Sequence, residues 1–246
     1  MTSKAADYFS GDIAINYDDD HAFAFKKTAM EPCVDLLAEL AGKGPVLEFA
    51  IGTGRIAIPL ISRGLKVDGI EYSADMIAEL QKKPAAKNVR VLQGDMATTK
   101  MGGNYSLVFL VFNTLMNLTT QSSQVACFQN AADHLKMDGF FVVEVIVPRL
   151  RSLPPGQLAV PFRLSDAALG FDTYDTVNQG LTSHHFKKRP DGTGTHHAVP
   201  FRYVWPAELD LMAQMAGMRL RSRWADWDQS PFTAESVKHI SVWEKI

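Results

Sequence analysis

The chain has little of what marks a disulfide-bonded, membrane-spanning or nucleic-acid-binding protein. Only two of its 246 residues are cysteines, Cys33 and Cys127, and both lie among helical apolar residues, which predicts buried free thiols. The net charge is −2, so a nucleic-acid partner is not expected. No apolar run is long enough to span a membrane, and the polar first residues lack the apolar segment of a secretion signal. We therefore expect a cytoplasmic protein.

The composition, 46% apolar and 21% charged, is that of a globular protein with one large α/β domain or a core with a small appendage. Short apolar segments alternate with helical patterns, which predicts a parallel, doubly wound sheet. One helix is expected over residues 55–63, and another over 121–136 that Gly139 closes. The five predicted strands are 45–50, 66–73, 89–95, 105–113 and 140–147.

The character of the sequence changes after Pro148, where residues 149–161 hold three of the twelve prolines and look like a linker. Beyond it, "RPDGTG" with its Asp-Gly pair predicts the turn of a β-hairpin. A helix from Pro206 to about Ala216 and two strands follow. We divide the chain into a helical cap, a ligand-binding core, an antiparallel insertion or lid, and a C-terminal helix with a strand pair: 1–45, 46–148, 149–204 and 205–246.

The segment "VLEFAIGTGRIAIPL", residues 46–60, places two glycines at the carboxyl end of the first strand. Gly52 and Gly54 can adopt backbone angles that other residues disfavour, and open parallel sheets bind ligands at this edge. Three interpretations are open: a turn without a ligand, a dinucleotide site, or a site for a nucleoside without phosphate. "GTGRIA" fits the dinucleotide pattern G-x-G-x-x-A, with Glu71 17 residues beyond Gly54.

Three acidic residues at successive strand ends favour the third interpretation. Glu48, Glu71 and Asp95 follow or end the first three strands. Glu71 could accept hydrogen bonds from both ribose hydroxyls, and Asp95 could accept one from an adenine amino group. The side chains of Tyr72, Met76 and Met96 could enclose the adenine ring.

Residues 46–147 resemble a class I S-adenosylmethionine-dependent methyltransferase. The likeness rests on four motifs in order: "VLEFAIGTGR", "GIEYSADM", "LQGDM" and "LVFLVFNTLMNL". It implies a Rossmann-like α/β fold, a doubly wound seven-stranded sheet with an antiparallel C-terminal strand pair and a small antiparallel β insertion after strand five. The chain is most similar to small-molecule methyltransferases, including those of natural products and amino sugars. Ala50 replaces the first glycine of the family's motif.

The resemblance also implies S-adenosylmethionine as the cofactor and assigns roles around it. The glycine turn and the backbone at Ala50 would cradle the methionine end, while Glu48 would organise the turn. Arg55 would contact the cofactor carboxylate or the N-terminal segment, unless it is a helix-surface cation. The residues expected to bind the cofactor are Glu48, Ala50, Gly52, Gly54, Arg55, Glu71, Tyr72, Met76, Asp95, Met96 and Phe112.

Three further residues are candidates for a catalytic role. Tyr17, in "INYDDDHAF", lies in a segment that resembles the one folding over the cofactor in many small-molecule members. Asn113 could border the methyl group, and His185 could be a general base. Each has a structural alternative: a half-buried ring, a polar turn residue and a strand histidine. No metal site is expected, because adjacent histidines on a strand point to opposite faces, and the acidic run 18–20 is expected to be solvated, as is Lys187.

The sequence therefore predicts an enzyme that transfers a methyl group to a nitrogen or oxygen of a small molecule by in-line displacement. Two alternatives remain at this point, an NAD(P)-dependent oxidoreductase and a non-catalytic regulatory protein that binds S-adenosylmethionine. A homodimer is possible.

Overall fold

A mixed seven-stranded sheet forms the centre of the computed structural model, which describes residues 8–189 and 191–246. The described ranges contain eleven strands: β1 (Val46–Phe49), β2 (Val67–Glu71), β3 (Arg90–Gln93), β4 (Tyr105–Leu110), β5 (Leu135–Ile146), β6 (Ala159–Ser165), β7 (Ala168–Asp175), β8 (Gly180–Lys188), β9 (Gly194–Arg202), β10 (Met218–Trp224) and β11 (Lys238–Lys245). The large sheet has the order β10-β11-β5-β4-β1-β2-β3. Strands β1 to β5 pair in parallel, whereas β11 runs antiparallel to both β5 and β10.

Helices cover both faces of this sheet. Those in the described ranges are α1 (Asp12–Ile15), α2 (Tyr17–Asp20), α3 (Lys27–Ala41), α4 (Ala57–Ser62), α5 (Ala74–Gln81), α6 (Gln121–His134) and α7 (Pro206–Met215). Helix α3 buries one apolar stripe that includes Cys33, Val34 and Leu37, and it ends at Gly42 in a left-handed conformation. The arrangement confirms the predicted α/β fold and its antiparallel C-terminal pair. No helix in the described part of the chain is both long and apolar enough to cross a bilayer.

The apolar core is divided by the sheet into two layers. One layer, with α3 and α4, contains Val46, Leu60 and Leu107. The other, with α6 and α7, is centred on Phe128, whose ring lies 5.1 Å from that of Phe141 and 5.2 Å from that of Trp243. Edge-to-face aromatic contacts of this kind stabilise a core beyond their area alone. Both cysteines are buried free thiols, as predicted.

A second, four-stranded antiparallel sheet follows β5, with the order β6-β7-β8-β9. It joins the α6–α7 layer through Val160, Tyr174 and Leu181. The hairpin around "RPDGTG" is present as β8 and β9, with His185 opposite His197. The linker predicted over residues 149–161 was too long, because β6 already begins at Ala159. Val160 is buried against the α6–α7 layer. The four-part division of the chain itself stays a prediction.

Two predicted helix ends differ from the structure. Helix α6 stops at His134, and Gly139 lies within β5. There a Cβ would come within 3.1 Å of the Tyr105 carbonyl oxygen, so glycine is needed for close strand contact rather than as a helix end. Helix α4 begins at Ala57, not at residue 55, because the glycine turn continues past Gly54.

His239 on β11 is fully buried and gives the fold a dependence on pH. Its Nδ1 lies 2.8 Å from Ser241 Oγ, and its Nε2 has no hydrogen-bond partner among the described residues. Burial lowers the pKa of His239 to about 3. In the unfolded chain, the imidazole of His239 becomes protonated below about pH 6.5. In the folded chain it stays neutral until the pH nears its lowered pKa. The unfolded state therefore binds more protons in this range, and folding stability falls as the pH drops.

We expect His239 alone to lower the free energy of unfolding by about 2 kcal/mol when the pH falls from 7 to 5. Urea titrations at both pH values should show a smaller loss for His239→Gln than for the parent. The exposed His196→Gln serves as the control and should behave like the parent. Equal losses in all three proteins would contradict the assignment.

Candidate functional site

Three left-handed residues shape the turn between β1 and α4. Ala50, Gly52 and Gly54 have φ angles of 52°, 56° and 85°, a conformation that costs a non-glycine residue energy. The Gly54 N–H closes the turn on the Ile51 carbonyl oxygen at 3.0 Å. The Gly52 N–H points instead at the next strand, where it donates to Glu71 Oε2 at 2.8 Å.

The two glycines serve different purposes. A Cβ on Gly52 would meet Met76 Cε at 3.6 Å and the Ala50 carbonyl oxygen at 3.9 Å, which are ordinary contact distances, so no neighbouring atom crowds this residue. A Cβ on Gly54 would lie 2.4 Å from Leu80 Cδ1 and 3.2 Å from Ile58 Cδ1. Gly52 therefore leaves room for a ligand, whereas Gly54 allows α5 to pack against the turn.

Glu71 ends β2 and is buried beside the glycine turn, with 6% of its surface exposed. Its Oε2 accepts from Gly52 and its Oε1 accepts from the Ser73 N–H at 2.9 Å. Ser73 in turn caps α5 and donates its hydroxyl to the Phe9 carbonyl oxygen at 2.9 Å. One carboxylate thus joins the ends of two strands to the chain segment that precedes α1.

The carboxyl of Glu48 lies beneath the same turn and is 4% exposed. Burial raises its pKa well above the usual range, and nearby Arg55 opposes that rise. Arg55 is half-buried and lies 4.8 Å over the ring of Phe112, an arrangement that attracts a guanidinium to an aromatic face. Arg55 precedes α4 rather than lying on its surface, and its guanidinium packs against Phe112. Its contact with a cofactor stays a prediction.

Two consecutive residues after β4, Phe112 and Asn113, are also left-handed, with φ angles of 60° and 63°. β5 holds them there. The Phe112 N–H donates to Glu144 Oε2 at 2.9 Å, and Asn113 Oδ1 accepts from the Ile146 N–H at 2.8 Å. Strain of this kind persists only where surrounding contacts enforce it, and it is concentrated at functional sites. Asn113 thus follows β4, and its side-chain oxygen holds the turn; its place beside the methyl group stays a prediction.

Glu144 is a residue of this site that the sequence did not predict. The side chain is 12% exposed and accepts three hydrogen bonds, from Phe112 N, Trp227 Nε1 and Lys238 Nζ. The available signal was a single acidic residue inside the otherwise apolar strand "FFVVEVIV".

Of the predicted adenine-enclosing residues, Tyr72 follows β2, Met76 lies in the first turn of α5 and Met96 lies in the turn after β3. Met76 and Met96 are buried, and Tyr72 is half-buried. Asp95 is half-buried and its Oδ1 accepts from the Ala97 N–H at 2.8 Å, which orders the turn after β3. Their assignment to a purine stays a prediction.

Tyr17 lies at this edge of the sheet, in α2. Its ring stacks on His21 at 4.4 Å and meets the ring of Phe9 edge-on at 6.3 Å. Burial raises the pKa of Tyr17 to about 12, with Glu71 adding to the rise and Arg55 opposing it. The phenol therefore stays protonated near neutral pH and can donate a hydrogen bond but cannot serve as a base.

Two residues of the acidic run 18–20, Asp18 and Asp20, make contacts beyond solvent, although Asp20 remains exposed. Asp18 accepts from Thr53 Oγ1 in the glycine turn at 2.6 Å and pairs with Lys83, whose Nζ also donates to the Thr53 carbonyl oxygen at 2.8 Å. Asp20 pairs with Lys187 of β8 at 2.9 Å, so Lys187 is not merely solvated either. Residues 8–25, here called the cap segment, are thus fastened to both sheets.

His185 faces the cap segment from the second sheet. Burial lowers its pKa, and the neighbouring charges of His197, Arg163, Lys187 and His21 lower it further. A neutral imidazole near neutral pH can accept a proton. His184 and His196 lie on the other face of the sheet, where their rings stack at 5.3 Å, so adjacent histidines do point apart.

Comparison with known proteins shows extensive likeness. Residues 46–139 match a family model described as a methyltransferase domain. The solved CcbJ methyltransferase from Streptomyces caelestis is 34% identical, with 99% of each chain covered and a TM-score of 0.87.

Two curated relatives are also similar. The cypemycin N-terminal methyltransferase of a Streptomyces species is 23% identical over 91% of this chain and 94% of the relative. The dTDP-3-amino-3,6-dideoxy-alpha-D-glucopyranose N,N-dimethyltransferase of Streptomyces fradiae is 33% identical over 56% of this chain and 54% of the relative.

The packing role of Gly54 can be separated from its backbone role. Gly54→Ala should destabilise the fold by about 2 kcal/mol or more, because a left-handed alanine adds a clash with Leu80. Gly64→Ala is a matched control, since Gly64 has a φ of 86° and no atom within 4 Å of its Cβ position. It should cost only about 1 kcal/mol.

Urea titrations of both variants, alone and with Leu80→Ala, measure the difference. The excess cost of Gly54→Ala should shrink once the Leu80 side chain is shortened. An undiminished excess would show that the clash is not its source.

Proposed function

The chain belongs to the class I S-adenosylmethionine-dependent methyltransferases, and we propose that it methylates a nitrogen or oxygen of a small molecule, with nitrogen favoured. The observation that carries the proposal is the hydrogen bond from Gly52 N–H to Glu71 Oε2. It holds a buried carboxylate beside the glycine turn, where that carboxylate could accept hydrogen bonds from a ribose diol. The names of two relatives, an N-terminal methyltransferase and an N,N-dimethyltransferase, favour nitrogen.

The residues present fit this cofactor. No neighbouring atom crowds Gly52, so the chain of the methionine end would fit there, bordered by the backbone at Ala50. Glu71 would accept from the ribose hydroxyls and Asp95 from the adenine amino group. Tyr72, Met76 and Met96 would enclose the purine. Arg55, which lies against Phe112, would bind the carboxylate of the methionine end, while the buried Glu48 would support the turn.

When bound, S-adenosylmethionine supplies an electrophilic methyl group on a positively charged sulfur, with a neutral thioether as the leaving group. The protein then has to align the acceptor and exclude water. Phe112, held in its strained conformation by Glu144, would fix the wall beside the methyl group. Tyr17, stacked on His21, would close the site from the cap segment and donate a hydrogen bond. His185 is the proposed base for the proton that the acceptor loses.

The two alternative functions have less support than methyl transfer. An NAD(P)-dependent oxidoreductase is not supported, because the family and the relatives are methyltransferases. A non-catalytic regulatory protein is not supported for the same reason. A small-molecule acceptor is proposed from the relatives, and a cytoplasmic location and a homodimer stay predictions of the sequence.

Calorimetric titration should show binding of S-adenosylmethionine and none of NAD. Incubation with methyl-labelled S-adenosylmethionine and a panel of small amines and alcohols should then move label to an amine. Tight NAD binding, or label transfer only to hydroxyl groups, would contradict the respective part of the proposal.

Glu71→Ala should weaken binding of S-adenosylhomocysteine by about tenfold or more, since it removes hydrogen bonds to a charged acceptor. Because Glu71 also holds the glycine turn, the variant needs a second measurement. Removing the ribose 2′-hydroxyl from the ligand should weaken binding to the parent but not to Glu71→Ala. A loss of equal size in both proteins would show that Glu71 acts only through the turn.

Arg55→Met should weaken S-adenosylmethionine binding by about tenfold, because a charge-assisted contact to the carboxylate is lost. Decarboxylated S-adenosylmethionine should bind the parent and the variant alike. Arg63→Met, which removes a surface ion pair with Asp35 near the end of α4, is the control and should leave both affinities unchanged. Equal weakening of both ligands by Arg55→Met would place the role of Arg55 in the fold of the turn.

A further inference from the structure

A cavity of about 420 Å³ opens on the side of Phe112 where the C-terminal loop approaches. It is bounded by the cap segment, the start of α3, the turn after β4 and residues 226–228. Its walls include Phe23, Arg55, Phe112, Glu144, Trp227 and Asp228. Packing voids in protein interiors are rarely larger than a water molecule, whereas sites for small molecules begin at about 300 Å³.

Charges in this cavity are unevenly placed. Lys238 pairs with Glu144 at 3.1 Å and with Asp226 at 2.8 Å, so one cation faces two carboxylates. Asp228 adds a third carboxylate, and the hydrogen bond that its Oδ1 accepts from the Ser230 N–H helps keep its pKa below the usual range. The remaining cation, Arg55, lies over Phe112 at the end nearest the glycine turn. The end formed by residues 226–228 is therefore negative.

Aromatic rings line the same cavity. Phe23 is 61% exposed, although large aromatic side chains are usually buried. Trp227 is almost fully buried and fixed by the hydrogen bond from its indole N–H to Glu144 Oε1. Aromatic faces beside carboxylates attract organic cations, which lose little hydration when they bind.

We propose that this cavity receives the acceptor amine in its protonated, cationic form, with carboxylates at residues 226–228 and the rings of Phe23 and Trp227 as its recognition surface. The ammonium would pass one proton to the proposed base, His185, before its freed lone pair forms the N–CH3 bond and the S–CH3 bond breaks. The inference rests on the proposed function, because Phe112 is the wall shared by the cavity and the predicted methyl-group site. The inference adds to the proposed function the site where the acceptor binds and the positive charge that the acceptor carries there. Neutral molecules of the same shape are selected against.

A matched pair of probes tests the charge. Choline and 3,3-dimethyl-1-butanol have nearly the same shape, and only choline is a cation. Each is titrated into the protein saturated with S-adenosylmethionine, and the indole N–H signal of Trp227, assigned with Trp227→Phe, is followed by NMR. We expect choline to shift this signal and to bind about fivefold or more tightly than the neutral probe.

A matched pair of variants tests the carboxylates. Asp228→Asn should weaken choline binding about threefold and leave the affinity for S-adenosylmethionine unchanged. Asp191→Asn removes the same charge from a similar turn, where Asp191 Oδ1 accepts from the Thr193 N–H at 2.9 Å, but in the distant β8–β9 hairpin. It should leave choline binding unchanged.

Several outcomes would overturn the inference: no shift of the Trp227 signal, equal binding of the two probes, or equal effects of the two variants. Competition between choline and S-adenosylmethionine would also overturn it, because the cavity would then belong to the cofactor. In each of these cases the proposed function stands as long as the cofactor binds and an amine is methylated. Failure of S-adenosylmethionine to bind at all would instead remove the proposed function.

Discussion

The hydrogen bond between the Gly52 N–H and the Glu71 carboxylate is the contact on which the site depends. It joins the ends of β1 and β2, and it requires the left-handed turn that the glycines permit. Because the carboxylate is buried, moving Gly52 would take the donor from one of its two oxygens, which is costly. Ser73, which donates to the same carboxylate, extends the connection to the segment before α1.

A second constraint acts at the end of β4. Glu144 accepts from the backbone of Phe112, from the indole of Trp227 and from Lys238. One side chain thereby sets the position of an aromatic wall and of the C-terminal loop together. The cap segment closes the same edge through Asp18 and Asp20, which reach the glycine turn and the second sheet. The proposed donor and acceptor sites therefore share walls that come from distant parts of the sequence.

Most of the fold could be predicted, because hydrophobic periodicity and glycine placement are local signals. The glycine turn, the three acidic strand ends and the β8–β9 hairpin all follow from short segments. What could not be predicted depends on contacts between distant segments. Gly139 looks like a helix end until β4 lies beside it. The sequence puts Arg55 beside the glycine turn but does not reveal its contact with the ring of Phe112, and Glu144 has no local pattern that reveals its three partners.

The consecutive left-handed residues Phe112 and Asn113 also limit how this protein can be made more stable. Glycine at either position would relieve backbone strain, but it would also remove the ring or the amide that the turn presents. Substitutions chosen to relieve backbone strain would thus remove side chains of the proposed active site first. Engineering for robustness should leave this dipeptide alone and start from the outer strands of the second sheet.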